Sequence, residues 1–137
     1  MTDKEMLQKA AEARQLAYIP YSHFAVGAAL LTKSGKVFTG CNIESASYSP
    51  TNCAERTAIF KAVSEGEREF SEIAIVGGKE GEKPAGMCPP CGVCRQVMME
   101  FCDPHIFRVI LEDDAGNPKS ILLEQLLPLG FGPENLS

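Results

Sequence analysis

The sequence predicts an α/β domain in three layers, a mixed five-stranded sheet flanked by helices. Helix-period stripes alternate with short apolar runs of strand length along the whole chain. Their order reads helix, hairpin, helix, strand, helix, strand, strand, helix. At 137 residues the chain suits one domain, 1–137, with one core and no linker or internal repeat.

Each element has a local reason. Thr2 with Glu5 reads as a capping box, and Met6, Leu7, Ala10, Ala13 and Ala17 continue a stripe to about Ala17. Pro20 stops it. Phe24–Leu31 is almost wholly apolar, as in a strand buried on both faces. Lys33-Ser34-Gly35-Lys36 turns the chain into a second strand, Val37–Glu44, which closes a hairpin. Ser45–Asn52 is rich in Ser, Thr, Asn and Pro and reads as a loop.

A second helix is expected over Cys53–Val63, with Gly66 near its stop. A strand follows at Ile73–Gly78, then a Gly/Pro-rich loop over Lys79–Pro90 and a third helix over Cys91–Phe101. Phe107–Glu112 and about Lys119–Leu122 are strands around the turn Asp113–Asn117. A short helix at Glu124–Leu127 precedes a Pro/Gly-rich tail.

Composition narrows the function. The net charge of -5 and the absence of a Lys/Arg cluster argue against a nucleic-acid partner, since phosphate binding needs clustered cations. A small neutral substrate suits this surface. No apolar run approaches the ~20 residues a membrane span needs. The charged start, Met1-Thr2-Asp3-Lys4-Glu5, does not read as a signal peptide, so a cytoplasmic location is expected. Six cysteines in such a chain favour a metal over disulfides.

The chemistry concentrates in Cys53-Ala54-Glu55 and Pro90-Cys91-Gly92-Val93-Cys94. Cys53, Cys91 and Cys94 can hold one zinc per chain and leave its fourth position open for water. Cys53 and Cys91 each begin a helix, whose positive end favours thiolates, and Cys94 lies one turn after Cys91. Glu55 would carry protons to and from the water. Three thiolates weaken a Lewis acid, and Arg56, donating to a sulfur, would restore some of its pull. Arg95 could assist or simply face solvent, and Arg56 is the favoured of the two. Two alternatives stay open. Cys88 could replace Cys94 as ligand, or a fourth ligand could close the site into a structural zinc module. Cys41 and Cys102 read as core residues, and His23 and His105 as structural or exposed.

These residues resemble the cytidine deaminase family, in its short, three-cysteine form. Phe24–Leu30, Gly40–Glu44, Cys53–Ala58 and Pro90–Val97 look like family blocks, in family order, and cover most of the chain. The resemblance implies hydrolytic deamination of free cytidine and 2′-deoxycytidine to uridine and 2′-deoxyuridine, with attack at C4. It implies that Asn42 and Glu44 hold the ribose 3′-hydroxyl, and that Phe24 packs on the pyrimidine. Ala54 and Glu55 would read the base edge. It also implies a homotetramer with shared sites, to which Tyr48 and Phe131 contribute. Ser45 stands where Asn is common and Pro89 where Ser is common, and Cys88 is extra. These departures leave room for a modified cytosine as substrate.

Overall fold

The computed structural model describes residues 1–84 and 86–137. Along the chain run α1 (Asp3–Arg14), β1 (Phe24–Thr32), β2 (Val37–Cys41), α2 (Ala54–Ser64) and β3 (Phe70–Lys79). They are followed by α3 (Gly92–Phe101), β4 (Arg108–Glu112), β5 (Pro118–Leu122) and α4 (Leu123–Leu126). A 3₁₀ turn at Pro133–Leu136, unforeseen in the tail, comes last.

The five strands make one sheet in the order β2-β1-β3-β4-β5. β1 is antiparallel to both β2 and β3, β3 is parallel to β4, and β4 is antiparallel to β5. The mixed sheet is therefore the one the sequence predicts.

Side chains of successive strand residues point to opposite faces. Ala28 and Leu30 of β1, with Ile73 and Ile75 of β3, pack with Ala58 and Ile59 of α2 and with Cys94 and Met98 of α3. Ala29, Ala74, Val76 and Ile110 pack instead with Met6, Leu7 and Ala10 of α1. Helices cover both faces, which is why β1 and β3 read as continuous apolar runs.

The expected capping box is present. Glu5 N–H donates to Thr2 Oγ1, and Thr2 N–H donates to Glu5 Oε1, both at 3.1 Å. α1 ends at Arg14 rather than near Ala17. Leu16 and Ala17 donate to carbonyls three residues back, which tightens the last turn. Tyr18 is then taken up by pairing with Asn42 and Glu44, at 3.0 and 2.9 Å.

β2 stops at Cys41 rather than Glu44, because Asn42 turns its side-chain amide onto β1. Its Oδ1 accepts from Val26 N–H and its Nδ2 donates to Phe24 O, both at 2.9 Å. β3 is longer than expected, since β1 pairs with it from Phe24↔Lys79 to Thr32↔Phe70. The expected loop at 79–90 thus loses Lys79 to β3, and its Ala85 lies outside the described residues.

Cys102 is buried in the core, as expected. Cys41 is not a core residue. It is half-buried and joins neither apolar cluster, because β2 is an edge strand.

Gly40 sets where α2 can lie. A Cβ there would stand 2.5 Å from Ala54 O and 2.6 Å from Ala58 N, so only glycine lets the start of α2 rest on β2.

Candidate active site

The starts of α2 and α3 carry the candidate site. Cys53 and Cys91 are the N-cap residues of these helices rather than their first helical residues, and neither side chain caps its own helix. Both sulfurs are therefore free to point elsewhere. Cys94 lies in the first turn of α3 and is fully buried, while Cys91 is exposed.

The three Sγ atoms lie within 4.8 Å of one another. Cys53 Sγ and Cys91 Sγ are 3.7 Å apart. A disulfide requires about 2.05 Å. Two thiolates at ~2.3 Å from one tetrahedral zinc are about 3.8 Å apart. The spacing fits a shared zinc ion and not a disulfide. Cys88 lies outside this cluster, so it does not stand in for Cys94. Among the described residues no fourth His, Cys, Asp or Glu joins the three, which leaves a coordination position open.

Without a metal, the hydrogen bond between Cys94 and Cys53 shifts the two thiols in opposite directions. The hydrogen bond from Cys94, opposed by burial and helped by Arg56, draws Cys53 down to about 5. The same hydrogen bond, with burial, pushes Cys94 up. Arg56 Nη2 donates to Cys53 Sγ at 3.3 Å, while its Nε is buried with no partner among the described residues. Arg95 faces elsewhere. Its Nε donates to Pro90 O at 2.8 Å and its Nη1 to Leu126 O at 2.6 Å.

Glu55 sits in the first turn of α2 and is 4% exposed. Burial first, and then the negative charge of Cys53, pushes its carboxyl up to about 7. A carboxyl poised there can both take and give a proton near neutrality.

Phe24 opens β1 with its ring partly exposed. Its carbonyl accepts from Asn42 Nδ2, and its N–H donates to Ser22 Oγ at 3.1 Å. Ser22 Oγ in turn donates to Glu44 Oε2. Glu44 Oε1 accepts from Tyr21 and Ser22 N–H at 3.0 and 3.1 Å, and these bonds, Ser22's hydroxyl above all, lower its pKa. Asn42 and Glu44 thus bracket the backbone around Phe24. Ser22 is a link that sequence reasoning missed, since a lone serine before a strand carries no signal.

His23, between Ser22 and Phe24, has φ 57, a strained left-handed conformation for a residue with a side chain. Its Nδ1 lies 3.1 Å from Glu80 Oε1, while His105 Nδ1 lies 2.6 Å from Glu124 Oε2. Neither histidine approaches the sulfur cluster.

Within one chain, Tyr48 and Phe131 are not brought to the cysteines. Tyr48 stacks edge-on against Tyr21, with centroids 6.3 Å apart, and lines a groove of about 390 Å³ with Ser22, Glu44 and Thr51. Phe131 lines a different groove with Gln96 and Glu100. Both rings are largely exposed.

A metal-dependent hydrolytic enzyme on an α/β sheet is the class that this site and fold define. A family model described as the cytidine and deoxycytidylate deaminase zinc-binding region matches residues 1–110. A cytidine deaminase of Halalkalibacterium halodurans is 51% identical over 136 residues, covering 98% of both chains. One from Sporosarcina psychrophila is 46% identical over 137 residues, covering 100% of this chain and 96% of that one. The crystal structure of cytidine deaminase from Burkholderia pseudomallei superposes with a TM-score of 0.86 at 47% identity, covering 96% of this chain and all of the other. This chain belongs to the cytidine and deoxycytidylate deaminase family.

Proposed function

We propose that residues 1–137 form a single catalytic domain that hydrolyses cytidine and 2′-deoxycytidine to uridine and 2′-deoxyuridine, releasing ammonia. The observation that carries this reading is the buried carboxyl of Glu55, two residues from Cys53 in a three-sulfur cluster with an open position.

Cys53, Cys91 and Cys94 hold one zinc ion. When bound, that ion supplies Lewis acidity, lowering the pKa of a water towards about 7. Glu55 takes a proton from the water and passes it to the pyrimidine ring nitrogen. Oxygen adds to C4, Glu55 takes the remaining proton from that oxygen and delivers it to the amine, and the C4–N bond breaks as the C4=O bond forms. Water and nucleoside go in, and the carbonyl product and ammonia come out. Arg56 draws charge from the Cys53 sulfur through its 3.3 Å hydrogen bond, which leaves the sulfur a weaker donor to the metal.

Phe24 forms a wall for the base, and Ala54 with Glu55 reads its edge. Asn42 and Glu44 meet the ribose, and the hydrogen bonds bracketing Phe24 support both roles. Tyr48 and Phe131, exposed and lining grooves that none of the three cysteines lines, are offered to neighbouring subunits of a homotetramer. The enzyme acts in the cytoplasm. No helix among the described residues is long and apolar enough to cross a membrane.

The test is the ultraviolet spectrum of cytidine incubated with the purified protein, with and without a zinc chelator. Conversion to the uridine spectrum that stops on chelation is the expected result. No conversion by protein carrying one zinc per chain would sink the reading.

A further inference from the structure

The three ligand residues are held unequally. Cys94 is buried inside the larger apolar cluster, and Cys53 receives a hydrogen bond from Arg56. Cys91 is exposed and follows a segment with no helix or strand among its described residues. Packing therefore does little to fix it.

Its backbone is fixed instead. Arg95 N–H donates to Cys91 O at 3.0 Å, the first bond of α3. The Arg95 guanidinium reaches back to Pro90 O at 2.8 Å, the carbonyl of the peptide that leads into Cys91. Its other arm donates to Leu126 O at 2.6 Å, in the last residue of α4. Among the described residues Arg95 has no carboxylate partner, so both arms serve carbonyls.

α4 is a firm anchor. Leu123 is fully buried and donates its N–H to Phe107 O at 3.0 Å. Glu124 N–H donates to Pro104 O, also at 3.0 Å. The neighbouring Gln96 donates to Phe131 O at 2.7 Å, so the outer face of α3 grips the C-terminal segment twice.

We propose that Arg95 is a positioning residue for Cys91. By bracing the Pro90–Cys91 peptide against α4, it makes retention of zinc depend on the C-terminal segment. A planar fork can serve two carbonyls on different elements at once. A lysine reaches one of them and keeps the charge. This inference rests on reading the three cysteines as a zinc site.

The experiment compares wild type, Arg95→Lys, Arg95→Met and a control, Leu7→Ala, whose cavity lies in the α1 cluster across the sheet. Zinc per chain is measured first, and then the rate of zinc release into an excess of chromophoric chelator at one temperature, beside the melting temperature of each protein. Arg95→Met should release zinc about tenfold faster or more. Arg95→Lys should fall between, and Leu7→Ala should keep the wild-type rate despite its lower melting temperature. Release from Arg95→Met at the wild-type rate would overturn the proposal, as would equally fast release from Leu7→Ala. Should Arg95→Met fail to fold, Arg95→Lys decides by the same comparison. Wild type without zinc would sink the site reading itself, whereas zinc-loaded wild type with no effect at Arg95 sinks only this inference.

Discussion

Arg56 donates to the sulfur of Cys53 from one turn further along the same helix, at 3.3 Å. Ligand and tuning residue therefore move together, on one rigid element. The charge of Cys53 holds Arg56 firmly protonated, and Arg56 helps hold Cys53 ionised. Arg56→Gln keeps a weak donor and loses the charge. Its turnover number should fall about tenfold to a hundredfold, with a smaller change in KM. Steady-state kinetics at saturating zinc check this, and an unchanged turnover number would show that the bond does not tune the metal.

Gly40→Ala tests how the fold places the site. The added methyl meets backbone atoms of Ala54 and Ala58, which cannot swing aside as a side-chain tip would. Either α2 lifts from the sheet or the protein loses about 1–3 kcal/mol of stability. Because α2 carries Cys53, Glu55 and Arg56, activity should fall further than the loss of folded protein explains. Circular dichroism and activity measured on the same sample separate the two.

The sheet and the metal site were legible in the sequence because each rests on local pattern. β1 and β3 announce themselves as apolar runs, and the three cysteines fall at helix starts marked by composition. What the sequence concealed is tertiary. Asn42 reads as a strand residue, yet its amide serves β1, so β2 ends early. Tyr18 follows the helix end expected at about Ala17 and carries no signal of its own, yet its partners lie beyond β2. Arg14 carries no signal in the sequence beyond an ordinary charge beside the apolar stripe of α1. It is instead buried, donating to the carbonyls of Ala25, Gly78, Lys79 and Glu82 at 2.8–3.2 Å. No spacing rule finds partners 11 to 68 residues away. The sequence leaves Arg95 undecided for the same reason, since adjacency to Cys94 does not say which way its side chain turns.

Zinc loading should release protons. In the metal-free protein, Cys53 is already ionised at neutral pH, while its hydrogen bond to Cys53 and its burial keep Cys94 protonated. A metal needs the thiolate. At least one proton per zinc should therefore appear at pH 7. Calorimetric titration in buffers of differing ionisation enthalpy counts it, and a heat independent of buffer would contradict a protonated Cys94.

Glu55→Gln separates chemistry from stability. The amide cannot carry protons, so turnover should fall by about 10²–10⁴ while zinc stays bound. Full turnover by zinc-loaded Glu55→Gln would end the proton-carrier role. In metal-free protein the same change should stabilise, and the gain should depend on pH. Burial holds the folded carboxyl near about 7, against 4.5 for the free group. Below about pH 4.5 the group is protonated in folded and unfolded chains alike, and its ionisation costs nothing. As pH rises towards about 7 the unfolded chain loses that proton first, so wild-type stability is progressively lost. The loss approaches about 3 kcal/mol above pH 7, on the scale of 1.36 kcal/mol per pH unit. Glutamine escapes it. Urea unfolding of both chelator-stripped, reduced proteins from pH 4 to 8 should show Glu55→Gln pulling ahead across that window and holding its lead above it. A difference that stays constant with pH would mean that Glu55 is ionised in the folded metal-free protein, and that burial does not set its proton affinity.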